Sequence, residues 1–265
     1  MPSKLSTAPT IIARGVFDSV ATFAQLEERI SCLGEENTKI LGDAFEIFVE
    51  ALLATQSKFM AEEVFLVGQV PQAIREEMNL PNDSKGIDGI FRTLTGTLVP
   101  YQVKFRSNRP QLTFTEVSPF LGLTERATDR IIFTNSNDIA VTAANRDAMR
   151  SVRGGDLDEL TQQDFESIEC WLKEKPISIP KPEPRDYQIE ALKSIRETLE
   201  ANDRATAVMA CGTGKTLLAL WVAESIKPKT VLVLVPSITL VQQTLEEWSR
   251  NNSWGNKFTY GHLEQ

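Results

Sequence analysis

Met209-Ala210-Cys211-Gly212-Thr213-Gly214-Lys215-Thr216 decides the fold of the C-terminal part of this 265-residue chain. An apolar run precedes it, and Lys215 to Ile226 has the apolar spacing of a helix. Small residues at such a turn let backbone N–H groups and the helix N-terminus surround a polyphosphate. The lysine can reach the β and γ phosphates, and the Thr216 hydroxyl can ligate Mg²⁺. The stretch therefore predicts a strand, a phosphate-binding loop and a helix that bind ATP and Mg²⁺. The predicted nucleotide contacts in the loop are Gly212, Thr213, Gly214, Lys215 and Thr216.

Two flanking segments carry further signals. Arg185-Asp186-Tyr187-Gln188 begins a predicted helix, and Val235-Pro236-Ser237 ends a predicted apolar strand. With the phosphate loop between them, these motifs resemble those of superfamily-2 helicases of the DEAD/DEAH type. Met209 stands where the strict loop pattern has glycine, a change that is frequent in that superfamily. The resemblance implies that the Gln188 amide pairs with the edge of adenine and that the later loop contacts the nucleic-acid backbone.

The second acidic motif that ATP hydrolysis requires is missing, because no apolar strand ending in Asp-Glu follows Thr216. We therefore expect a truncated RecA-like lobe that binds ATP without turning it over. The resemblance implies that this chain is an N-terminal piece of a longer nuclease-motor protein and that the remainder of the helicase motor is a partner. We expect the open sheet edge of such a lobe to be poorly ordered or to pair with a neighbour.

A second constellation lies on a predicted hairpin in the N-terminal part, where odd-numbered positions are mainly apolar in both strands. Because successive side chains of a strand point to opposite faces, the apolar sets share one core only if odd residues pair with odd residues. That parity requires a loop of odd length, such as Thr95-Gly96-Thr97, in which the glycine takes positive φ. Asp88 then shares a face with Gln102 and Lys104, opposite or diagonal to them.

These three side chains supply the groups that phosphodiester hydrolysis needs. A carboxylate and a neighbouring acceptor can hold Mg²⁺ or Mn²⁺ together with waters, and an amine can orient the attacking water and offset phosphorane charge. Asp88 with Gln102-Val103-Lys104 resembles the PD-(D/E)xK nucleases, specifically their Mrr-like branch, in which glutamine often replaces the first residue of the second motif. The pattern departs from the signature at Ile87, where the signature has proline.

The resemblance extends on both sides of the hairpin, over roughly residues 34–172. Gly42-Asp43-Ala44-Phe45-Glu46 is similar to the first-helix motif, with Glu46 at the edge of the buried stripe of its helix. Ile131-Ile132-Phe133-Thr134-Asn135-Ser136 is similar to the strand after the catalytic hairpin. The implied catalytic residues are Asp88, Gln102, Lys104 and Glu46. The implied metal ligands are Asp88, Glu46 and Gln102 at this site, and Thr216 in the phosphate loop.

Other interpretations stay open, since short patterns of this kind also arise by chance. The hairpin can be an ordinary surface element in which Asp88 and Lys104 form a cross-strand ion pair worth under about 1 kcal/mol. The domain can also be a catalytically dead, nucleic-acid-binding adaptor that anchors a helicase motor. An RNA remodeller is a third interpretation.

Composition limits the class of protein. The chain has 42% hydrophobic and 24% charged residues, and no apolar run in it approaches the roughly 20 residues of a membrane span. We therefore expect a cytoplasmic protein without a membrane partner. The net charge of −8 argues against coating DNA through bulk positive charge, although a local basic groove is compatible with it. Three distant cysteines predict neither a disulfide framework nor a zinc site, and the sole histidine, His262, gives no support to histidine-dependent hydrolysis.

Aromatic and basic residues near the two constellations have two interpretations each. Three arginines lie around the hairpin strands: Arg92, Arg106 and Arg109. We expect with about equal weight that they contact DNA or that they are ordinary solvated charges. Tryptophans can be base-stacking platforms, but Trp171 and Trp221 lie in helical patterns that favour a place in the core. The other tryptophans are Trp248 and Trp254.

Four prolines between Pro176 and Pro184 favour an extended linker, because each proline fixes φ. The predicted organisation is an N-terminal helical segment (1–33), an Mrr-like nuclease domain (34–172), the linker (173–184) and the partial RecA-like lobe (185–265). The fold class is α/β, with a restriction-endonuclease-like mixed sheet flanked by helices and then the truncated P-loop domain. The predicted helices are Asp18–Leu33, Gly42–Leu53, Asp186–Glu200, Lys215–Ile226 and Thr239–Trp248. The predicted strands are Glu63–Gly68, Ile87–Leu94, Leu98–Phe105, Arg130–Thr134, Thr206–Ala210 and Thr230–Val235.

The sequence thus predicts a Mg²⁺-dependent endonuclease domain for double-stranded DNA, joined to the start of an ATP-dependent DNA translocase. The restriction or genome-defence setting comes from the resemblance alone. Because cutting both strands usually requires two such centres, a homodimer also fits this interpretation.

Overall fold

The computed structural model describes residues 3, 5–34, 38–81, 86–176, 181–210 and 212–253. Cys211, Trp254 and His262, which the sequence singled out, lie outside these residues. The chain divides into two compact units, Met1–Ile179 and Pro180–Gln265. No helix within the described ranges is long and apolar enough to cross a membrane.

The N-terminal unit is a mixed α/β structure built on a five-stranded sheet in the order β1-β2-β3-β4-β5. The first three strands form an antiparallel meander, and β4 and β5 continue in parallel after β3. The predicted mixed sheet flanked by helices is confirmed. The strands are β1 (Ala61–Leu66), β2 (Gly89–Thr93), β3 (Leu98–Lys104), β4 (Arg130–Thr134) and β5 (Met149–Val152). The helices of this unit are α1 (Ala8–Ala13), α2 (Phe23–Leu33), α3 (Thr38–Thr55), α4 (Gln72–Glu77), α5 (Phe114–Leu123), α6 (Val141–Ala144), α7 (Gly154–Asp158) and α8 (Gln162–Leu172).

The sheet separates two apolar cores, as the alternation of side chains requires. Odd positions of β2 and β3 pack with α1, α2, α3 and α8 in the larger core, and even positions such as Ile90 and Ile132 pack with α4 and α5 in the smaller one. The helix α3 lies inside the larger core and is apolar on nearly every side: Phe45, Phe48 and Leu52 are all fully buried. The sequence predicted that α3 buries a single apolar stripe. The buried part of this helix is wider than that stripe, because other helices and the sheet surround α3.

The hairpin between β2 and β3 confirms the predicted pairing of odd with odd residues, with Gly89 opposite Tyr101 and Phe91 opposite Val99. The loop lies one residue earlier than predicted. The Thr93 N–H donates to Thr97 O at 2.9 Å, which leaves residues 94–96 as the three-residue loop. Gly96 has a φ of +84°, a conformation that glycine adopts without strain.

The C-terminal unit contains the helices α9 (Asp186–Ala201), α10 (Lys215–Ile226) and α11 (Ile238–Asn251). The predicted strands Thr206–Ala210 and Thr230–Val235 are wrong, because neither is assigned as a strand in the described residues. Their apolar side chains are uncovered, with Val208 94% and Leu232 81% exposed. Strand propensity is realised only when a neighbouring strand accepts the hydrogen bonds, and these two segments do not pair.

Two glycine substitutions test this packing. A Cβ on Gly89 would collide with the Tyr101 hydroxyl and lie 2.6 Å from Phe65 O, whereas a Cβ on Gly42, inside α3, would meet nothing within 4 Å. We expect Gly89→Ala to destabilise the chain by about 1–3 kcal/mol. We expect Gly42→Ala to stabilise it by roughly 0.5–1 kcal/mol, since alanine favours the helix. Urea unfolding followed by circular dichroism measures both, and equal midpoints for the two variants would contradict the packing described.

Candidate functional site

Asp88 lies immediately before β2, at the end of the regular ladder with β3. Its N–H donates to Tyr101 O at 3.0 Å, although Tyr101 already pairs with Gly89. Asp88 and Gly89 therefore both lie opposite Tyr101, as in a β-bulge, and a bulge changes the direction in which a side chain points. Asp88 Oδ2 accepts a hydrogen bond of 2.6 Å from the N–H of Val103. The sequence predicted that strand alternation alone sets the direction of the Asp88 side chain, whereas the irregular pairing also contributes. The carboxylate does reach β3, at Val103 between Gln102 and Lys104.

Glu46 approaches the same point from α3. The residue before it, Phe45, packs edge to face on Phe105, the residue after Lys104, with ring centroids 5.3 Å apart. Neighbours in the chain are thus in contact, which places Glu46 and Lys104 near each other. Both side chains are half-buried, as is Asp88. The structure therefore brings together the acid of the helix, the acid of β2 and the lysine of β3.

The charges of this cluster influence one another. The pKa of Glu46 is raised to about 8, first by burial and then by the negative charges of Asp88 and Asp43. The positive charge of Lys104 acts in the opposite direction. Burial also raises the pKa of Asp88, and this rise is opposed by the Val103 N–H and by Lys104. Two acids that resist ionisation together are a feature of functional sites more often than of ordinary surfaces.

Two buried side-chain oxygens of β3 have no hydrogen-bond partner among the described residues: Oε1 of Gln102 and the hydroxyl of Tyr101. Gln102 is only 1% exposed. Burial raises the pKa of Tyr101 well above its usual value, and the charges of Glu50, Asp88 and Glu46 raise it further. A buried polar group without a partner is costly, so each one requires an explanation. Tyr101 was assigned only to the core by its odd position, and no sequence signal marked its hydroxyl.

The residues fit one divalent cation. Within the described ranges, no group of three or more His, Cys, Asp or Glu side chains is placed to hold a metal ion. The candidate donors are therefore fewer: the carboxylates of Glu46 and Asp88, whose charges interact, and the amide oxygen of Gln102 on β3, which has no partner among the described residues. Mg²⁺ is commonly held by one or two carboxylates, with waters completing its shell. A cation would give Gln102 a partner and offset the repulsion between the two acids.

The arginines after β3 are engaged in internal ion pairs. Arg106 pairs with Glu116, and Arg109 pairs with both Glu27 and Asp158 at 2.7 and 2.6 Å. These ion pairs show that neither side chain is a free solvated charge, and DNA contact by Arg106 and Arg109 stays a prediction. The partners of Arg109 are 82 and 49 residues away in sequence, so only the fold brings them close.

The predicted phosphate loop of the C-terminal unit is described on both sides of Cys211. Gly212 and Gly214 have φ of +77° and +75°, in the left-handed region that favours glycine. Gly214 is the N-cap of α10, which begins at Lys215 and ends at Ile226 as predicted. The Lys215 amine donates to Ala210 O at 2.8 Å, within the loop itself.

Gln188 is buried against this loop. Its Nε2 donates to Thr213 O at 3.0 Å, and its Oε1 accepts from the N–H of Arg185 at 2.9 Å. The structure therefore brings together the amide predicted to pair with adenine and the predicted phosphate loop. Each end of the amide keeps one further hydrogen-bonding position, since the nitrogen has a second hydrogen and the oxygen a second lone pair.

Trp248 has a role that the sequence did not indicate. Its indole N–H donates to Thr216 O at 2.9 Å, and its ring is buried with Leu220 and Ala223. It is therefore part of the packing between α10 and α11 and not an exposed stacking platform. Trp171 packs, partly buried, against the larger core of the N-terminal unit, consistent with its predicted place.

Comparison with known proteins finds likenesses in both sequence and fold. Residues 181–264 match the family described as type III restriction enzyme, res subunit. Over 65 residues, 24% of this chain, the sequence is 40% identical to the probable helicase A859L of African swine fever virus, in both a Kenyan and a Malawian isolate. The fold is similar to that of the ATP-dependent Type ISP restriction-modification enzyme LlaBIII bound to DNA. That match has a TM-score of 0.55 and 23% identity and covers 86% of this chain.

The chain spans a small part of these relatives, 8% of the viral helicase and 15% of the LlaBIII chain. The C-terminal part is thus similar in sequence to restriction-type and helicase proteins. The chain as a whole is similar in fold to part of a restriction-modification enzyme.

The raised pKa of Glu46 predicts how stability depends on pH. Native Glu46 keeps its proton up to about pH 8, whereas the unfolded chain releases it near the ordinary value of 4.5. Between these values the unfolded state binds fewer protons, so stability falls as pH rises through that window. We expect Glu46→Gln to lose less stability than the wild type between pH 5 and pH 8 in urea unfolding. Glu62→Gln, at an exposed glutamate of β1, is the matched control, and a Glu46→Gln profile parallel to that of the wild type would contradict the prediction.

Proposed function

We propose that this chain carries a Mg²⁺- or Mn²⁺-dependent DNA endonuclease domain followed by the first part of an ATP-dependent DNA translocase of the restriction type. The observation that carries the nuclease part is that the carboxyls of Glu46 and Asp88 and the amine of Lys104 lie close enough at β3 for their charges to act on one another. Gln102, whose amide oxygen has no partner among the described residues, lies two positions before Lys104 on the same strand.

In this proposal each side chain has a distinct task. Glu46, Asp88 and Gln102 would hold the cation, and the Val103 N–H keeps the Asp88 carboxylate in place. A bound Mg²⁺ or Mn²⁺ supplies a Lewis acid that polarises the phosphate and lowers the pKa of a bound water. Lys104 orients the water for attack on phosphorus, and its charge offsets the negative charge that develops on the phosphate oxygens. The water forms a bond to phosphorus and loses a proton, while the bond to the sugar oxygen breaks and that oxygen takes up a proton, which completes hydrolysis of the phosphodiester.

The translocase part rests on the C-terminal unit. Residues 181–264 match a restriction-enzyme family, and Gln188 lies against the phosphate loop, as a residue that links base and phosphate recognition should. We propose ATP and Mg²⁺ as its ligands, with Thr216 ligating the cation, and the remainder of a helicase motor as its partner. Double-stranded DNA is the proposed substrate of the nuclease, supported by a structural neighbour that is a restriction-modification enzyme bound to DNA. A homodimer would supply the two centres that double-strand cutting requires.

The proposed domains keep the bounds 1–33, 34–172, 173–184 and 185–265. The division between the two compact units, after Ile179, lies inside the proposed linker. The helices α1 and α2 of the first segment contribute to the same core as α3, so this segment is a covering layer of the nuclease domain.

One observation favours the alternative of a dead adaptor that binds nucleic acid and anchors the motor. With a pKa of about 8, Glu46 is mostly protonated at neutral pH unless a cation displaces its proton. A domain that never binds the cation would keep a neutral Glu46 and leave phosphodiester bonds intact.

Plasmid cleavage separates the two functions. We expect the 265-residue chain to nick or cut plasmid DNA with Mg²⁺ or Mn²⁺, and Asp88→Asn and Lys104→Ala to lower the rate at least about 100-fold. Arg150→Ala, which removes an exposed ion pair with Asp129, is the control and should cut like the wild type. Intact plasmid that is nevertheless shifted by the wild type in a gel supports the adaptor. Equal cutting by the wild type and Asp88→Asn rejects the site.

Nucleotide binding tests the C-terminal unit separately. We expect Lys215→Ala to weaken the binding of a fluorescent ATP analogue at least about tenfold, which is about 1.4 kcal/mol. Gln188→Ala should reduce the preference for ATP over GTP, because its amide would no longer read the base edge. Lys193→Ala, on the exposed face of α9, is the control. An analogue that binds Lys215→Ala as tightly as the wild type would exclude the loop as the phosphate site.

A further inference from the structure

We propose that Asn135 is a positioning residue for Lys104, acting together with Glu27 and Arg109 on the backbone that follows β3. This role presupposes the nuclease function proposed above and adds three residues to it. Asn135 lies in the strand segment after the hairpin that the resemblance includes, and Glu27 and Arg109 lie outside all of the quoted motifs.

The side chain of Asn135 continues the sheet beyond its last backbone pair. The parallel pairing of β3 with β4 ends at Lys104 opposite Thr134. Immediately beyond, Asn135 Oδ1 accepts from the N–H of Arg106 at 2.6 Å, and its Nδ2 donates to Arg106 O at 2.7 Å. A primary amide offers the same donor and acceptor as a peptide group. It therefore holds the chain two residues after Lys104 as a neighbouring strand would.

Glu27 of α2 fixes this amide in one orientation. The second hydrogen of Asn135 Nδ2 is donated to Glu27 Oε1 at 2.6 Å. If the amide were turned over, its oxygen would face the Glu27 carboxylate and Arg106 O, its nitrogen would face the Arg106 N–H, and all three hydrogen bonds would be lost. Asn135 is fully buried, so water cannot replace either partner.

Arg109 holds Glu27 in turn. Its Nε and Nη2 donate to the Glu27 carboxylate at 2.9 and 2.7 Å, and its two Nη atoms donate to Asp158 of α7 at 2.6 and 2.8 Å. The guanidinium also lies over the ring of Phe23, 5.4 Å from its centroid. A continuous series of charge-assisted hydrogen bonds thus runs from α7 through Arg109 and Glu27 to the backbone after Lys104.

The loop that carries Arg109 has a strained backbone conformation, which the surrounding contacts must stabilise. Asn108 and Arg109 have φ of +65° and +50°, in the left-handed region that residues other than glycine rarely adopt. Space around the cluster is also limited, because a Cβ on Gly154 would lie 2.9 Å from Arg109 Nη1 and closer still to Asn137 Oδ1 and Asn135 O. These contacts leave the loop one arrangement.

The backbone of Lys104 is held by its pairing with Thr134 and by the packing of Phe105 on Phe45, and the Asn135 amide adds support on the side where that pairing ends. In the part of the chain that the structure describes, no hydrogen bond or ion pair is found at the Lys104 amine, so the backbone and the charges of Glu46 and Asp88 determine where it lies. A displacement of about 1 Å at a reacting group can lower a rate about 100-fold. Removal of the Asn135 amide would free the backbone beside Lys104 without touching the metal ligands.

The kinetic test compares Asn135→Ala and Asn135→Asp with Thr124→Val, which removes a buried hydrogen bond to Phe120 O at a site outside this cluster. For plasmid cleavage by the 265-residue chain, we expect both Asn135 variants to lower kcat at least about tenfold while KM and Mn²⁺ affinity change less than about threefold. Thr124→Val should keep the wild-type kcat. A wild-type kcat in the Asn135 variants, an equal loss in Thr124→Val, or a change confined to KM would overturn the proposal.

A second readout does not depend on DNA cleavage. In chain labelled with [ε-¹³C]lysine, the Lys104 signal is identified by its absence in Lys104→Arg. We expect it to move in Asn135→Ala and to stay in place in Thr124→Val. If the wild type cuts no DNA, the proposed nuclease function fails, and an unmoved Lys104 signal would independently overturn the positioning role. If Asn135→Ala does not fold, Arg109→Lys, which keeps the charge but loses the two-sided guanidinium contacts, replaces it in both experiments.

Discussion

The hydrogen bond from the Val103 N–H to the Asp88 carboxylate is the constraint on which the site in the N-terminal unit depends. At 2.6 Å it replaces a ladder bond where the regular pairing of β2 with β3 ends. It thereby draws an acid from one strand onto the neighbouring strand, between an amide and an amine. The fully buried Phe45, in contact with Phe105, brings the second acid, Glu46, to the same place from α3.

The same arrangement is unfavourable for the isolated chain. The carboxyls of Glu46 and Asp88 share a partly buried site. Among the described residues, the side-chain oxygens of Gln102 and Tyr101 have no hydrogen-bond partner. Folded proteins tolerate such local conflict where the surrounding structure is strongly held. Here that support comes from an apolar core on each face of the sheet. The unit therefore tolerates two acids in a place that opposes their ionisation, and its stability falls as Glu46 loses its proton.

The sequence predicted correctly those features of the fold that depend on neighbouring residues in the chain. The parity of the hairpin, the bounds of β4 and α10, and the left-handed turn at Gly96 follow from alternation, helical spacing and glycine chemistry. β5 was missed because its four residues include Arg150 and Ser151, and α5 because Pro119 lies inside it. The strand predictions at Thr206 and Thr230 failed since propensity alone cannot supply a pairing partner. Motifs identified the candidate site residues, but the roles of Asn135 and Trp248 depend on contacts with residues 29 and 32 positions away.

The sheet has one further property, because the order of its strands in space is the order of the strands along the chain. Among the described residues each strand pairs only with its predecessor and successor, so the strand pairings close short stretches of chain. During synthesis each new strand can therefore join an edge that already exists. The packing of α8 against α3 completes the larger core once the chain up to Leu172 has left the ribosome. The N-terminal unit can thus mature cotranslationally, without waiting for the C-terminal unit.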